Sequence, residues 1–124
     1  MKLFCFDVDG TLLTEEMEKE IGYVRGKIPT EKLIDLEKKG NKIAIVSPSP
    51  YLPERYANDD HWFKDFGSNE YRWANILKAC NFNEISFENT IYVDDLEANR
   101  NQMEEIGIKS YSPYEFLDTN FNNN

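Results

Sequence analysis

Short apolar runs separated by longer amphipathic stretches set the rhythm of this chain. The first, Leu3-Phe4-Cys5-Phe6, has no polar interruption, which predicts a strand buried on both faces. Lys42–Val46 and 91–93 read the same way, and weaker runs at 61–66 and 108–111 bring the expected strands to five. Helical patterns fill the intervals. Pro29-Thr30 opens one helix, with Leu33, Ile34 and Leu36 inward and Gly40 as its stop. Ser68 or Asn69 caps a second, on which Trp73, Ile76, Leu77 and Cys80 fall on one face at i, i+3, i+4, i+7. A third follows Asp94, its N-cap, with Glu97 completing a capping box and Gly107 ending it. A short helix at 114–117 closes the pattern. Strands alternating with helices predict a three-layer α/β/α, Rossmann-like fold around a mainly parallel five-stranded sheet.

The leftover segments are short. Residues 14–26 read as a flap or loose helix over the strand ends, and 48–67 as an irregular, aromatic loop. Neither leaves room for an independent lid domain, so the expectation is one capless domain over 1–119, followed by a disordered tail at 120–124.

Composition narrows the setting. Fourteen basic against 23 acidic residues give a net charge of −9, which disfavours a nucleic-acid groove built on bulk charge. Cys5 and Cys80 lack metal-ligand spacing and read as packing residues. No signal-peptide layout and no bilayer-length apolar stretch stand out, so the expectation is a cytoplasmic protein away from membranes.

The polar residues that interrupt this pattern sit at strand ends. Asp7-Val8-Asp9-Gly10-Thr11 follows the first strand, and carboxylates two positions apart there point to one side. In open α/β sheets that rim is where ligands bind. A hairpin turn explains only Asp9 and Gly10. A calcium loop would need glycine where Leu12 stands, and a helix where the strand precedes. Val93-Asp94-Asp95 supplies a second acidic strand end. Two like charges 4 Å apart repel by about 4 kcal/mol at an effective dielectric near 20. Such a cluster calls for a cation, and an all-oxygen site suits Mg²⁺.

Asp7-Val8-Asp9-Gly10-Thr11, the lone hydroxyl of Ser47 after the second strand and Val93-Asp94-Asp95 together resemble the haloacid-dehalogenase superfamily of aspartate-nucleophile phosphatases. Asp94-Asp95 followed by Asn99 looks most like its magnesium-dependent phosphatase branch, and the match runs from Lys2 to about Gly107.

The resemblance implies a Mg²⁺-dependent phosphomonoesterase. Asp7 would attack phosphorus to form an aspartyl-phosphate, and Asp9 would act as general acid and base. Mg²⁺ would be held by Asp7, the Asp9 main-chain carbonyl and Asp95, with Asp94 as an additional or outer ligand. Val8, Ser47 and Arg72 would bind the phosphoryl group, Arg72 standing where relatives usually have lysine. Lys64 is a second candidate for that cation, and Lys78 reads as a solvated surface residue. Asn99 either orients a bound water or is an exposed helix residue. Pro48 is a departure: it lacks the N–H that relatives offer, a loss of roughly 3 kcal/mol of transition-state stabilisation if nothing replaces it. A capless site implies bulky or macromolecular phosphorylated substrates, or a second subunit over the opening. The alternatives are a catalytically weak phosphate- or metal-binding module and a nucleic-acid end-processing phosphatase.

Overall fold

The computed structural model describes residues 1–8, 10–12, 27–47, 62–65 and 72–121. Its elements are β1 (Leu3–Phe6), α1 (Thr30–Lys38), β2 (Lys42–Val46), β3 (Phe63–Asp65), α2 (Arg72–Asn83), β4 (Thr90–Val93), α3 (Glu97–Glu105), β5 (Lys109–Tyr111) and α4 (Pro113–Asp118), with a 3₁₀ turn at Phe87–Asn89 before β4. The sheet runs β3-β2-β1-β4-β5 and every pair is parallel. β1 is central: Cys5 lies in register with Ala44 on one side and Tyr92 on the other. The winding direction reverses between β1 and β4, which opens a crevice beyond their C-terminal ends.

Unbroken apolar strands arise because both sheet faces are covered. Phe4, Phe6, Ile43, Ile45, Ile91 and Val93 pack with Leu33 and Leu36 of α1 and Phe116 of α4. The alternate set, Leu3, Cys5, Ala44, Val46 and Tyr92, packs with Ile76, Ala79 and Cys80 of α2 and Met103 of α3. The result is the expected α/β architecture with helices on both faces. Both cysteines are buried and free. No helix among the described residues is long and apolar enough to cross a membrane.

Several local expectations need correction. Ile34 is 39% exposed, because only Leu33 and Leu36 of α1 reach the sheet. Trp73 and Leu77 are similarly exposed, and the inward face of α2 is Asn75, Ile76, Ala79 and Cys80. Asn75 turns in because its Nδ2 donates to Asp65 Oδ2 at 2.8 Å, and Ala79 lets the helix approach closely. The tail does not come loose at residue 120: the Phe121 ring lies 5.2 Å from that of Phe4 and 5.4 Å from those of Tyr111 and Phe116. The expected flap at 14–26, the loop at 48–61, Phe66, the Ser68 or Asn69 cap and 122–124 lie outside the described residues.

Candidate functional site

β1 delivers Asp7 to the crevice. Its N–H still bonds the Val93 carbonyl at 3.1 Å, so the β1–β4 ladder extends one residue past the strand. The chain then turns sharply, with the N–H groups of Thr11 and Leu12 both donating to the Val8 carbonyl at 3.0 Å. Gly10 makes this turn at φ +80°, and a Cβ there would stand 2.2 Å from Asp95 Oδ2. Glycine is therefore required twice, for the backbone conformation and for the carboxylate lying against it. Thr11 ties the two acidic strand ends together, its Oγ1 accepting from the Asp95 N–H at 3.2 Å.

β4 delivers Asp94, which is fully buried. Its Oδ1 accepts from the Leu96 N–H at 2.8 Å, and its Oδ2 accepts from Asn99 Nδ2 at 2.9 Å and from the Tyr92 hydroxyl. Arg100 Nη1 donates to the Asp94 carbonyl at 2.9 Å. This corrects the expected capping box. The N-cap position of α3 is Leu96, with no side-chain cap, because Asp94 spends its carboxylate on the turn and on the side chains behind it.

Oxygen atoms of Asp7, Asp94 and Asp95 lie within 4.8 Å of one another. Octahedral Mg²⁺, with ligands about 2.1 Å from the ion, brings its donor oxygens within such a span. The donors are all carboxylates, and Gly10 leaves space beside Asp95 that any side chain would fill. On both counts the residues suit a hard divalent cation.

On the other side of β1, the residue that follows β2 is Ser47, which is buried and hydrogen-bonded to the Asp7 carboxylate. α2 begins at Arg72, whose Nη1 stands 3.7 Å from Asp7 Oδ1 and donates to the Val46 carbonyl at 3.2 Å. Burial pushes the Asp7 carboxyl up to about 7, reinforced by the Asp94 charge. Arg72, Ser47 and the Val8 N–H oppose that rise. Asp7 therefore faces a like charge on one side and a guanidinium on the other.

Six of the seven sequence-derived site residues meet here. Asp7, Asp94 and Asp95 cluster, Ser47 and Arg72 contact Asp7, and Val8 reaches it through its N–H while its side chain packs in the core. Asp9 and Pro48 lie outside the described residues. Lys64 Nζ donates to the Trp62 carbonyl at 3.4 Å, and exposed Lys78 pairs with Asp65 at 3.6 Å. Asn99 is committed to Asp94. Sequence reasoning gave no role to Thr11 or Tyr92. The signal for Tyr92 was its place two residues before Asp94, on the same side of the strand.

No family model matches the chain, and no curated relative matches it significantly. Among solved structures it is similar to the crystal structure of a hypothetical protein from Xanthomonas campestris. The TM-score is 0.63 and the identity 20%, with 90% of this chain and 63% of that one covered. The likeness supports the Rossmann-like α/β fold, and this chain spans less than two thirds of that protein.

Proposed function

We propose that this protein is a Mg²⁺-dependent phosphomonoester hydrolase of the haloacid-dehalogenase type, working through an aspartyl-phosphate on Asp7. The observation that carries the reading is the setting of Asp7. One carboxylate at the switch point has two acids on one side, and a hydroxyl and a guanidinium on the other. A structural carboxylate needs partners for its charge, but not a second and third carboxylate beside it.

In this reading Asp7 attacks phosphorus, and the phosphoryl oxygens are met by the Ser47 hydroxyl, the Val8 N–H and Arg72. Arg72 neutralises charge shared between the nucleophile and the phosphoryl group, and its planar fork suits a tetrahedral oxyanion. Asp9 enters by sequence position alone, as the proton donor to the leaving alcohol and the later base for water. Mg²⁺, held by Asp7 and Asp95 with Asp94 behind them, would supply charge stabilisation for nucleophile and phosphate together. The substrate is a phosphorylated molecule, with bulky ones favoured by a capless site, and a cytoplasmic setting and self-association belong to the same reading.

The test is hydrolysis of an aryl phosphate. Turnover that needs Mg²⁺ and falls by on the order of 10⁴-fold in Asp7→Asn supports the reading. Tight Mg²⁺ binding with no hydrolysis across a broad phosphoester panel would favour a binding module instead.

A further inference from the structure

Asp94 is held more tightly than a metal ligand or a helix cap requires. Its N–H donates to the Tyr111 carbonyl at 3.2 Å and its carbonyl accepts from Arg100. Its Oδ1 takes the Leu96 N–H. Its Oδ2 takes both the Tyr92 hydroxyl and Asn99 Nδ2, so the in-plane lone pairs of that oxygen are spent. What remains to offer a cation is one lone pair of Oδ1.

Tyr92 is an unusual donor for this task. It belongs to the sheet face that packs under α2 and α3, in the same buried cluster as Ala44, Ile76 and Met103, with no solvent exposure. A buried hydroxyl left without a partner is destabilising, and Tyr92 finds its partner in the acid cluster rather than in the backbone. Asn99 reaches the same oxygen from the second turn-forming segment, the start of α3. A strand residue and a helix residue thus converge on one oxygen from below and from the side.

We propose that Tyr92 and Asn99 are positioning residues that clamp Asp94 Oδ2, so that Asp94 presents only Oδ1 to the divalent cation. The inference rests on the metal site of the proposed function, and goes beyond it by assigning two residues to the support of that site. The clamp keeps Asp94 from chelating through both oxygens. It leaves Asp7 and Asp95 as the principal donors, and makes the affinity of the site depend on a phenol buried in the core.

Mg²⁺ binding measured by calorimetry on the full chain tests this without reference to turnover. Removing a partner that orients a metal-binding carboxylate typically costs 10- to 100-fold in affinity. Tyr92→Phe, which keeps the buried ring, and Asn99→Ala, at a half-buried position of α3, are each expected to weaken Mg²⁺ binding by about that factor. In an Asp94→Asn background the Tyr92→Phe penalty should shrink to about twofold or less, because the residue acts through that carboxylate. Wild-type affinity in both single variants, or an undiminished penalty in the double variant, overturns the clamp while leaving the metal site standing. No Mg²⁺ binding by the wild-type protein overturns the metal site and the clamp together. If Tyr92→Phe does not fold, Asn99→Ala and its double variant with Asp94→Asn carry the same comparison.

Discussion

Arg72 Nη1 stands 3.7 Å from Asp7 Oδ1 while donating to the Val46 carbonyl at 3.2 Å. The second bond explains how a cation comes to occupy the first turn of a helix, where the macrodipole disfavours it. The end of β2 holds the guanidinium in place, and the charge is directed at the β1 carboxylate.

That relationship predicts how Arg72 variants bind phosphate mimics. Charge-assisted hydrogen bonds contribute about 1.5–3 kcal/mol, so Arg72→Met should weaken inhibition by vanadate roughly 10- to 150-fold. Arg72→Lys keeps the charge but not the fork and should fall between the two. Equal inhibition of all three proteins would remove Arg72 from phosphoryl binding.

The Asp7 carboxyl gives the metal-free protein a pH signature. Its value is pushed from 3.8 to about 7, with burial as the main cause and the Asp94 charge next. Below the unfolded value both states hold the proton. As pH rises from there to about 7 the unfolded chain releases the proton first, so stability falls, and it levels off above that range. The full excursion is on the order of 4 kcal/mol. Denaturation at a series of pH values in chelator should record the decline, and Asp7→Asn should flatten it and stabilise the protein at pH above 7. A decline of unchanged slope in Asp7→Asn would assign it to other groups.

Gly10→Ala should damage both fold and site. The new methyl group would meet Asp95 Oδ2 at 2.2 Å, at a backbone φ of +80° that side chains rarely adopt. We expect a loss of about 1–3 kcal/mol in denaturant unfolding, together with loss of Mg²⁺ binding as Asp95 is displaced. Unaltered Mg²⁺ affinity would mean that Asp95 is not a ligand.

Glu84 offers a change remote from the chemistry. It ends α2 with φ 57°, and the Ile85 N–H closes the helix on the Cys80 carbonyl at 3.1 Å. A left-handed residue at a helix end favours glycine, and Glu84→Gly should raise stability by about 0.5–1 kcal/mol with no change at the site. A destabilised variant would show that the Glu84 side chain matters more than its backbone.

Much of this was legible because the sheet buries both faces. Unbroken apolar runs marked β1, β2 and β4, and the first polar residues after them, Asp7, Ser47 and Asp94, are the ones at the crevice. Arg72 was legible only through the family resemblance, as the cation standing where relatives usually have lysine. The rotation of α2 was not, because hydrophobicity favours Trp73 and Leu77 while the Asn75–Asp65 bond sets the inward face. That Asp94 does not cap α3 was illegible for a related reason. Capping box and clamp share one local sequence, and what separates them is a hydroxyl on the preceding strand and the extended backbone of Leu96.

The proposed mechanism requires that Asp7 become covalently phosphorylated during turnover. Acid quenching during turnover of a radiolabelled phosphoester, followed by peptide mapping, measures this directly. Label is expected on the peptide carrying Asp7, dependent on Mg²⁺ and absent in Asp7→Asn. Steady hydrolysis that persists in Asp7→Asn, with no label on that peptide in either protein, would contradict it.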